Sequence, residues 1–245
     1  MSATIIDFSN WARRRFEAGA SFRTCYAEVC AVPGTIVVSD GAYALERRRA
    51  LFPNYKVRRN RPPDLMYKQL DLLRTLLGFA PCVLVRVPRW EADDVIATLV
   101  RTANGAHTII RSTDVDFGQL PNVTLDRDKP LPEEPQFLRT YKALVGDPSD
   151  CIPGLKGFGK GGWSKLDYAQ KMQLQNWMER GGDTPEFLPV GPKNWLAKDT
   201  AHRRLLKTYY EIVGLWDVPM AEIGANTEFG VHNPAAFETM IGDYL

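Results

Sequence analysis

Four short apolar runs, each closing on an acidic residue, constrain this chain more than any other feature. TII (4–6) ends at Asp7, and TIVVS (35–39) ends at Asp40. CVLVRVPRW (82–90) ends at Glu91 with Asp93 and Asp94 close behind, and HTIIRST (107–113) ends at Asp114 with Asp116 two residues on. Runs this rich in β-branched residues predict buried strands. Helical patterns lie between them: WARRRFEAG after the first, residues 64–77 before the third, and residues 92–103 after it. Strands alternating with helices give an α/β fold with a mostly parallel sheet. Ligands of open α/β sheets bind outside the carboxyl ends of the strands, so about seven carboxylates are expected along one sheet edge.

That convergence has an energetic consequence. Two unit charges ~4 Å apart repel by ~4 kcal/mol at an effective dielectric of ~20, a large share of a typical folding stability of ~5–15 kcal/mol. Divalent cations remove the conflict, and an all-oxygen donor set favours Mg²⁺ or Mn²⁺ over zinc. So many carboxylates can hold two ions, the recurring device for hydrolysing phosphodiesters. Each acid also has an ordinary structural reading. Asp93 and Asp94 open a helix, where acids favour the macrodipole. Asp7 and Asp40 suit loop starts, Asp40-Gly41 being a common turn pair, and Asp114 and Asp116 suit a strand terminus.

Composition narrows the partners. Of 245 residues, 44% are hydrophobic and the net charge is +2, enough for one sizeable core with an appendage. Between Glu46 and Arg61 stand seven basic residues, Arg47, Arg48, Arg49, Lys56, Arg58, Arg59 and Arg61, against one acid. Such a block suits a polyanion, or else a solvated face. Cys25, Cys30, Cys82 and Cys151 form no CxxC pair and His107, His202 and His232 lie far from them, so thiols in a reducing cytoplasm are expected and no zinc site. No apolar run is long enough to span a membrane, and the N-terminus reads as a strand and helix rather than a signal peptide.

Residues 118–136 read as a proline-rich connection with a short strand, Val123 to Leu125. FLRTYKALVGD reads as a helix, 151–162 as a glycine-punctuated turn, 180–194 as loop and 199–216 as a helix. The last ~30 residues give no readable pattern.

In order and spacing, TIIDFSNWARR, VVSDGAYALERRRALFPNYKVRRNRPP, WEADDVIATLV, IIRSTDVDFGQL and YKALVGDPSDCIPGLKGFGK resemble the 5′→3′ exonuclease and flap-endonuclease family. The resemblance covers roughly residues 4–165, and the chain looks most like a free-standing, phage-type enzyme. It implies a PIN-like α/β catalytic domain (1–135) with a helical arch, a helical duplex-DNA-binding segment (136–220) containing a helix-3-turn-helix, and a tail of unknown role (221–245). Asp7, Asp40, Glu91 and Asp93 would hold the catalytic metal or its waters. Asp114, Asp116 and Asp150 would hold a second ion, with Asp94 and Asp147 as supporting acids. Lys56 and Arg59 would contact the scissile phosphate beside Arg58, and Tyr55 would stack on a base. Gly157, Gly159 and Lys160 would grip a duplex phosphate, and carbonyls of that turn would hold K⁺.

The resemblance further implies a monomer acting on a 5′ flap, nicked or 5′-ended DNA, with RNA/DNA hybrids as further substrates. Two rivals stand beside it: a DNA-binding accessory protein with little turnover, and a PIN-type ribonuclease. The sequence departs from the family pattern at Cys151, where asparagine is usual, and at Gly161 and Gly162, which predict a late or short second helix. Arg203, Arg204 and Lys207 would track a duplex or face solvent.

Overall fold

The computed structural model describes residues 2–58 and 63–244. It divides into two compact units, one formed by residues 1–44, 61–130 and 216–245, the other by 45–60 and 131–215. No helix among the described residues is long and apolar enough to cross a membrane.

The first unit carries the predicted sheet. Its strands are β1 (Ala3–Asp7), β2 (Ile36–Val38), β3 (Val83–Val85), β4 (Thr108–Arg111), β5 (Val123–Leu125) and β6 (Thr227–Phe229), in the spatial order β5-β4-β1-β2-β3-β6. The first five pair in parallel, and β6 runs antiparallel to β3. From β1 the chain builds outward through β2 and β3, then crosses back to lay β4 and β5 on the other side. The order therefore reverses between β1 and β4, where an α/β sheet opens a crevice at its carboxyl edge.

Helices Phe8–Glu17, Phe22–Cys30, Asp64–Leu76 and Ala92–Thr102 supply the crossovers. Asp64–Leu76 shows why such a segment coils: Leu70, Leu73 and Leu76 recur at helical spacing and are all buried. They pack with Ile6, Trp11 and Val37 in the main core, joined by Phe237 and Ile241 of helix Pro234–Gly242. The Tyr26 ring stacks on Phe237 at 3.9 Å. The C-terminal segment expected to be a separate tail thus adds a strand and a core helix to this unit.

The second unit is helical: Glu46–Leu51, Leu138–Val145, Lys160–Trp163, Tyr168–Arg180, Val190–Lys198 and Thr200–Ile212. The helix at Val190 replaces part of the loop expected over 180–194. The second helix of the turn module is short, a single turn from Lys160, as its glycines predict. Asp167 and Gln170 start Tyr168–Arg180 with a reciprocal capping box. Arg48, expected among residues suited to a polyanion, is buried instead. Its Nε and Nη2 each donate at 2.9 Å, to the carbonyls of Ile212 and Gly214, closing the end of Thr200–Ile212.

Candidate active site

Asp7 is the last residue of β1 and is 6% exposed. Because Ile6 lies in register with Arg111 of β4, the next residue, Ser112, comes beside Asp7, and its Oγ donates to Asp7 Oδ2 at 2.8 Å. The Asp114 amide donates to Ser112 Oγ at 3.1 Å, and Asp114 Oδ1 accepts from the Asp116 amide at 2.9 Å. A chain of hydrogen bonds therefore links the acids beyond β4 to the one at the end of β1. Ser112 was not singled out from the sequence; a hydroxyl residue in register with a strand-end acid was the available signal.

Asp40 follows β2. Its Oδ1 accepts from the Ala92 amide at 2.8 Å, at the N-terminus of helix Ala92–Thr102, where a carboxylate is favoured by exposed N–H groups and the dipole. Gly41 makes this approach possible. A Cβ there would stand 1.8 Å from the Val87 carbonyl oxygen, so any side chain would push the Asp40 turn off the Val87–Trp90 turn. Gly41→Ala is expected to destabilise the protein by about 2–3 kcal/mol, read as a lowered melting temperature; an unchanged one would refute this packing.

Burial, together with the charges of Asp40 and Asp114 and against the Ser112 and Asn10 hydrogen bonds, pushes the Asp7 carboxyl up to about 7. Three strand ends therefore act on one another electrostatically. Glu91 is buried and Asp93 half-buried at the start of the same helix Ala92–Thr102. Among the described residues, no three His, Cys, Asp or Glu side chains close into a finished ligand cage. What the edge does supply is an all-oxygen donor set and a buried carboxyl in conflict with two others, which fits a hard divalent cation.

Asp94 takes a different role from its neighbour. Successive helical residues point about 100° apart, so Asp93 and Asp94 cannot face the same side. Asp94 is 1% exposed and its Oδ1 accepts from the Trp216 amide at 2.8 Å, tying down the returning C-terminal segment.

In the second unit, Asp147 and Asp150 flank a tight turn closed by mutual 2.8 Å backbone bonds between Asp147 and Ile152. Gly154 carries φ +76°, and a Cβ there would meet the Gly146 nitrogen at 2.6 Å. Each acid has a lysine partner. Lys142 Nζ lies 2.6 Å from Asp147 Oδ2, and Lys56 Nζ lies 3.9 Å from Asp150 Oδ1. Burial alone would raise the Asp147 carboxyl, but Lys142 and the Ser149 donors hold it below the usual range. Asp147 is therefore built as half of an ion pair.

The basic segment departs from expectation at Tyr55. That ring is 2% exposed, with Lys56 Nζ 4.9 Å and Arg48 Cζ 5.8 Å from its centroid, so it is packed rather than presented for stacking on a base. Lys56 is buried with φ +52°, a backbone region L-residues seldom occupy. Arg58 is exposed and lines a hollow of about 590 Å³ with Asn54, Val57 and Cys151. Its amide donates to Cys151 Sγ at 3.4 Å. Cys151 holds φ +61°, a conformation asparagine tolerates well. Arg59 lies outside the described residues. Gly157 has φ +80°, Gly159 precedes the single helical turn with extended backbone, and Lys160 is exposed.

Residues 4–139 match the family described as 5′-3′ exonuclease, N-terminal resolvase-like domain. A 5′-3′ exonuclease of Aquifex aeolicus is 32% identical over 143 residues, covering 52% of this chain and 50% of that protein. A thermostable DNA polymerase I of Thermus thermophilus is 36% identical over 140 residues, covering 51% and 17%. The chain thus spans about half the length of the first relative and under a fifth of the second. Among solved structures, T5 5′-exonuclease with bound divalent metal ions (zinc) superposes with a TM-score of 0.60 at 19% identity, over 99% of this chain and 98% of that one. The catalytic core of Rad2 in complex with a DNA substrate gives 0.52 at 14% identity, over 100% and 87%. At these identities the structural likeness is one of fold.

Proposed function

This chain belongs to the 5′-3′ exonuclease family, and from that membership we propose that it is a divalent-metal-dependent nuclease cutting DNA at 5′ ends or 5′ flaps. The observation that carries the reading is Asp7: buried, fixed by Ser112, and charged against Asp40 and Asp114 at the sheet's switch point. A bound divalent cation would relieve this conflict in place of a proton.

In this reading Asp7, Asp40, Glu91 and Asp93 would hold one Mg²⁺ or Mn²⁺, and Asp114 and Asp116 would serve a second. Bound there, the metal lowers the pKa of water and neutralises charge on the phosphate. The protein's own contribution is orientation. The Ala92 amide aims Asp40, Ser112 aims Asp7 and the Asp116 amide aims Asp114, so the carboxylates are held by hydrogen bonds before substrate arrives. Asp94 and Asp147 support the framework through Trp216 and Lys142.

Lys56, Arg58 and Arg59 supply positive charge for the scissile and neighbouring phosphates. Lys56, whose Nζ lies 3.9 Å from Asp150 Oδ1, would meet a phosphate by leaving that contact. Lys160 and the flexible backbone at Gly157 and Gly159 contact the duplex, with K⁺ in that turn. The support is likeness to T5 5′-exonuclease, which binds divalent metal ions, and to Rad2, which holds DNA.

The test is cleavage of 5′-labelled flap, nicked and blunt substrates with Mg²⁺, beside RNA/DNA hybrid and single-stranded RNA. The reading expects 5′-phosphorylated DNA products, abolished by EDTA and restored by Mg²⁺ or Mn²⁺. Binding to flap DNA with no cleavage in any metal would establish the accessory role instead, and preferred cleavage of single-stranded RNA would establish a PIN-type ribonuclease.

A further inference from the structure

A cleft of about 450 Å³ opens on the sheet face of the first unit, beyond the acidic edge described above. Its floor follows the strand register: Val37 lies beside Leu84, and Leu84 beside Glu228. One step further along, past the paired Val38 and Val85, come Ser39 and Arg86. Residues from the end of helix Asp64–Leu76, Arg74 among them, form a wall.

The two ends of this cleft differ chemically. Ser39 is 5% exposed and lines the cleft, yet its hydroxyl has no partner among the described residues. That hydroxyl is open to a ligand in the cleft. Arg86 is exposed beside it and spends its Nε on the Asp40 carbonyl at 3.1 Å, leaving terminal guanidinium nitrogens for an anion. Other polar groups around the cleft are already engaged. Arg74 pairs with Asp71 at 2.8 Å, Thr75 donates to the Asp71 carbonyl, and the Asn226 amide donates to the Glu222 carbonyl. Glu228 stands at the far end of the floor, where it repels a phosphate and accepts N–H donors. Between the ends the floor is apolar.

From this polarity we infer that the cleft is a nucleotide subsite for a nucleoside 5′-phosphate unit. The phosphate meets Ser39 Oγ and the Arg86 guanidinium, and the sugar and base lie along the half-buried Leu84 toward Glu228. The volume admits one nucleotide and not a duplex. Through the Arg86 bond to the Asp40 carbonyl, the subsite abuts the acidic edge. It takes its substrate class from the nuclease reading, and the unit it binds is either a nucleotide of the strand being cut or the released product.

The test is binding without catalysis. Uniformly ¹⁵N-labelled protein in EDTA is titrated with thymidine 5′-monophosphate, with thymidine, and with a short oligothymidylate carrying a 5′-phosphate. The inference expects saturable shifts at the Ser39, Arg86 and Asn226 amides with the monophosphate. Affinity falls about tenfold or more in Arg86→Ala and about threefold in Ser39→Ala, and thymidine binds far more weakly. Because Arg86 also holds the Asp40 turn, Ser39→Ala serves as the variant that leaves that turn in place.

Stronger binding of the oligonucleotide at the same amides assigns the site to the strand, and binding of the monophosphate alone assigns it to product; both outcomes support the subsite. No saturable shift, or binding indifferent to both substitutions, overturns it. A protein that binds the monophosphate here yet cuts nothing refutes the nuclease reading alone. One that cuts while these amides stay unmoved refutes the subsite alone.

Discussion

Asp7→Asn is expected to give a protein that is more stable without metal and nearly inactive with it. Asparagine keeps the size of the side chain and an oxygen for the Ser112 hydroxyl, so the fold is retained. What disappears is a buried negative charge that burial, Asp40 and Asp114 all disfavour. An upward displacement from 3.8 to about 7 corresponds to at most about 4 kcal/mol of strain once the carboxyl is ionised. In EDTA at pH 8 the variant should melt about 5–10 °C above the wild type, given roughly 2–4 °C per kcal/mol for a chain of this size. Cleavage of flap DNA in Mg²⁺ should fall by about three orders of magnitude, since the charge that destabilises the free protein is the one that holds the ion. A stability gained where activity is lost is the mark of a site under functional strain. A variant with lowered melting temperature and full activity would make Asp7 an ordinary structural acid.

The second large effect belongs to Lys142. Its Nζ and the Asp147 carboxylate are 2.6 Å apart, with side chains only 7% and 10% exposed. Lys142→Met leaves Asp147 buried and unpaired, which costs about 3–5 kcal/mol. The pair's pH dependence follows from its sign. Asp147 titrates below its ordinary value in the folded state, so its contribution is complete above the unfolded carboxyl pKa and is lost as pH falls through the folded one. The gap between wild type and Lys142→Met should therefore be widest near neutrality and narrow below about pH 4. Adding Asp147→Asn to Lys142→Met should recover most of the loss, because no charge is then stranded. Urea melts of the four proteins measure the cycle; additive losses would mean that the contact contributes nothing.

The parallel strands were legible because β-branched runs read the same in any context, and the acids closing them marked the functional edge. Most of what escaped the sequence is non-local. TEF (227–229) is too short to declare itself a strand until β3 offers it an edge. Phe237 and Ile241 did stand at helical spacing behind Asn233, whose side chain accepts from the Ala236 amide, and this start signal was readable. Tyr55 looked like a platform for bases because its neighbours are basic, yet Arg48 belongs to a structural clamp on residues 212–214. Among the acids, adjacency misled: Asp93 and Asp94 share a motif and not a helix face, and Asp94 answers to Trp216, 122 residues away. Residues 45–60 belong to the helical unit although they interrupt the first unit's chain, an excursion that local pattern cannot reveal.

Counting bound ions tests the central claim most directly. Titrating the purified protein with Mn²⁺ and measuring free ion by electron paramagnetic resonance should reveal two saturable sites per chain, displaced by excess Mg²⁺. In Asp7→Asn and Asp40→Asn at least one of them should be lost while the protein stays folded. Wild-type protein that takes up no Mn²⁺, or variants that bind as many ions as it does, would contradict the assignment of these strand-end carboxylates.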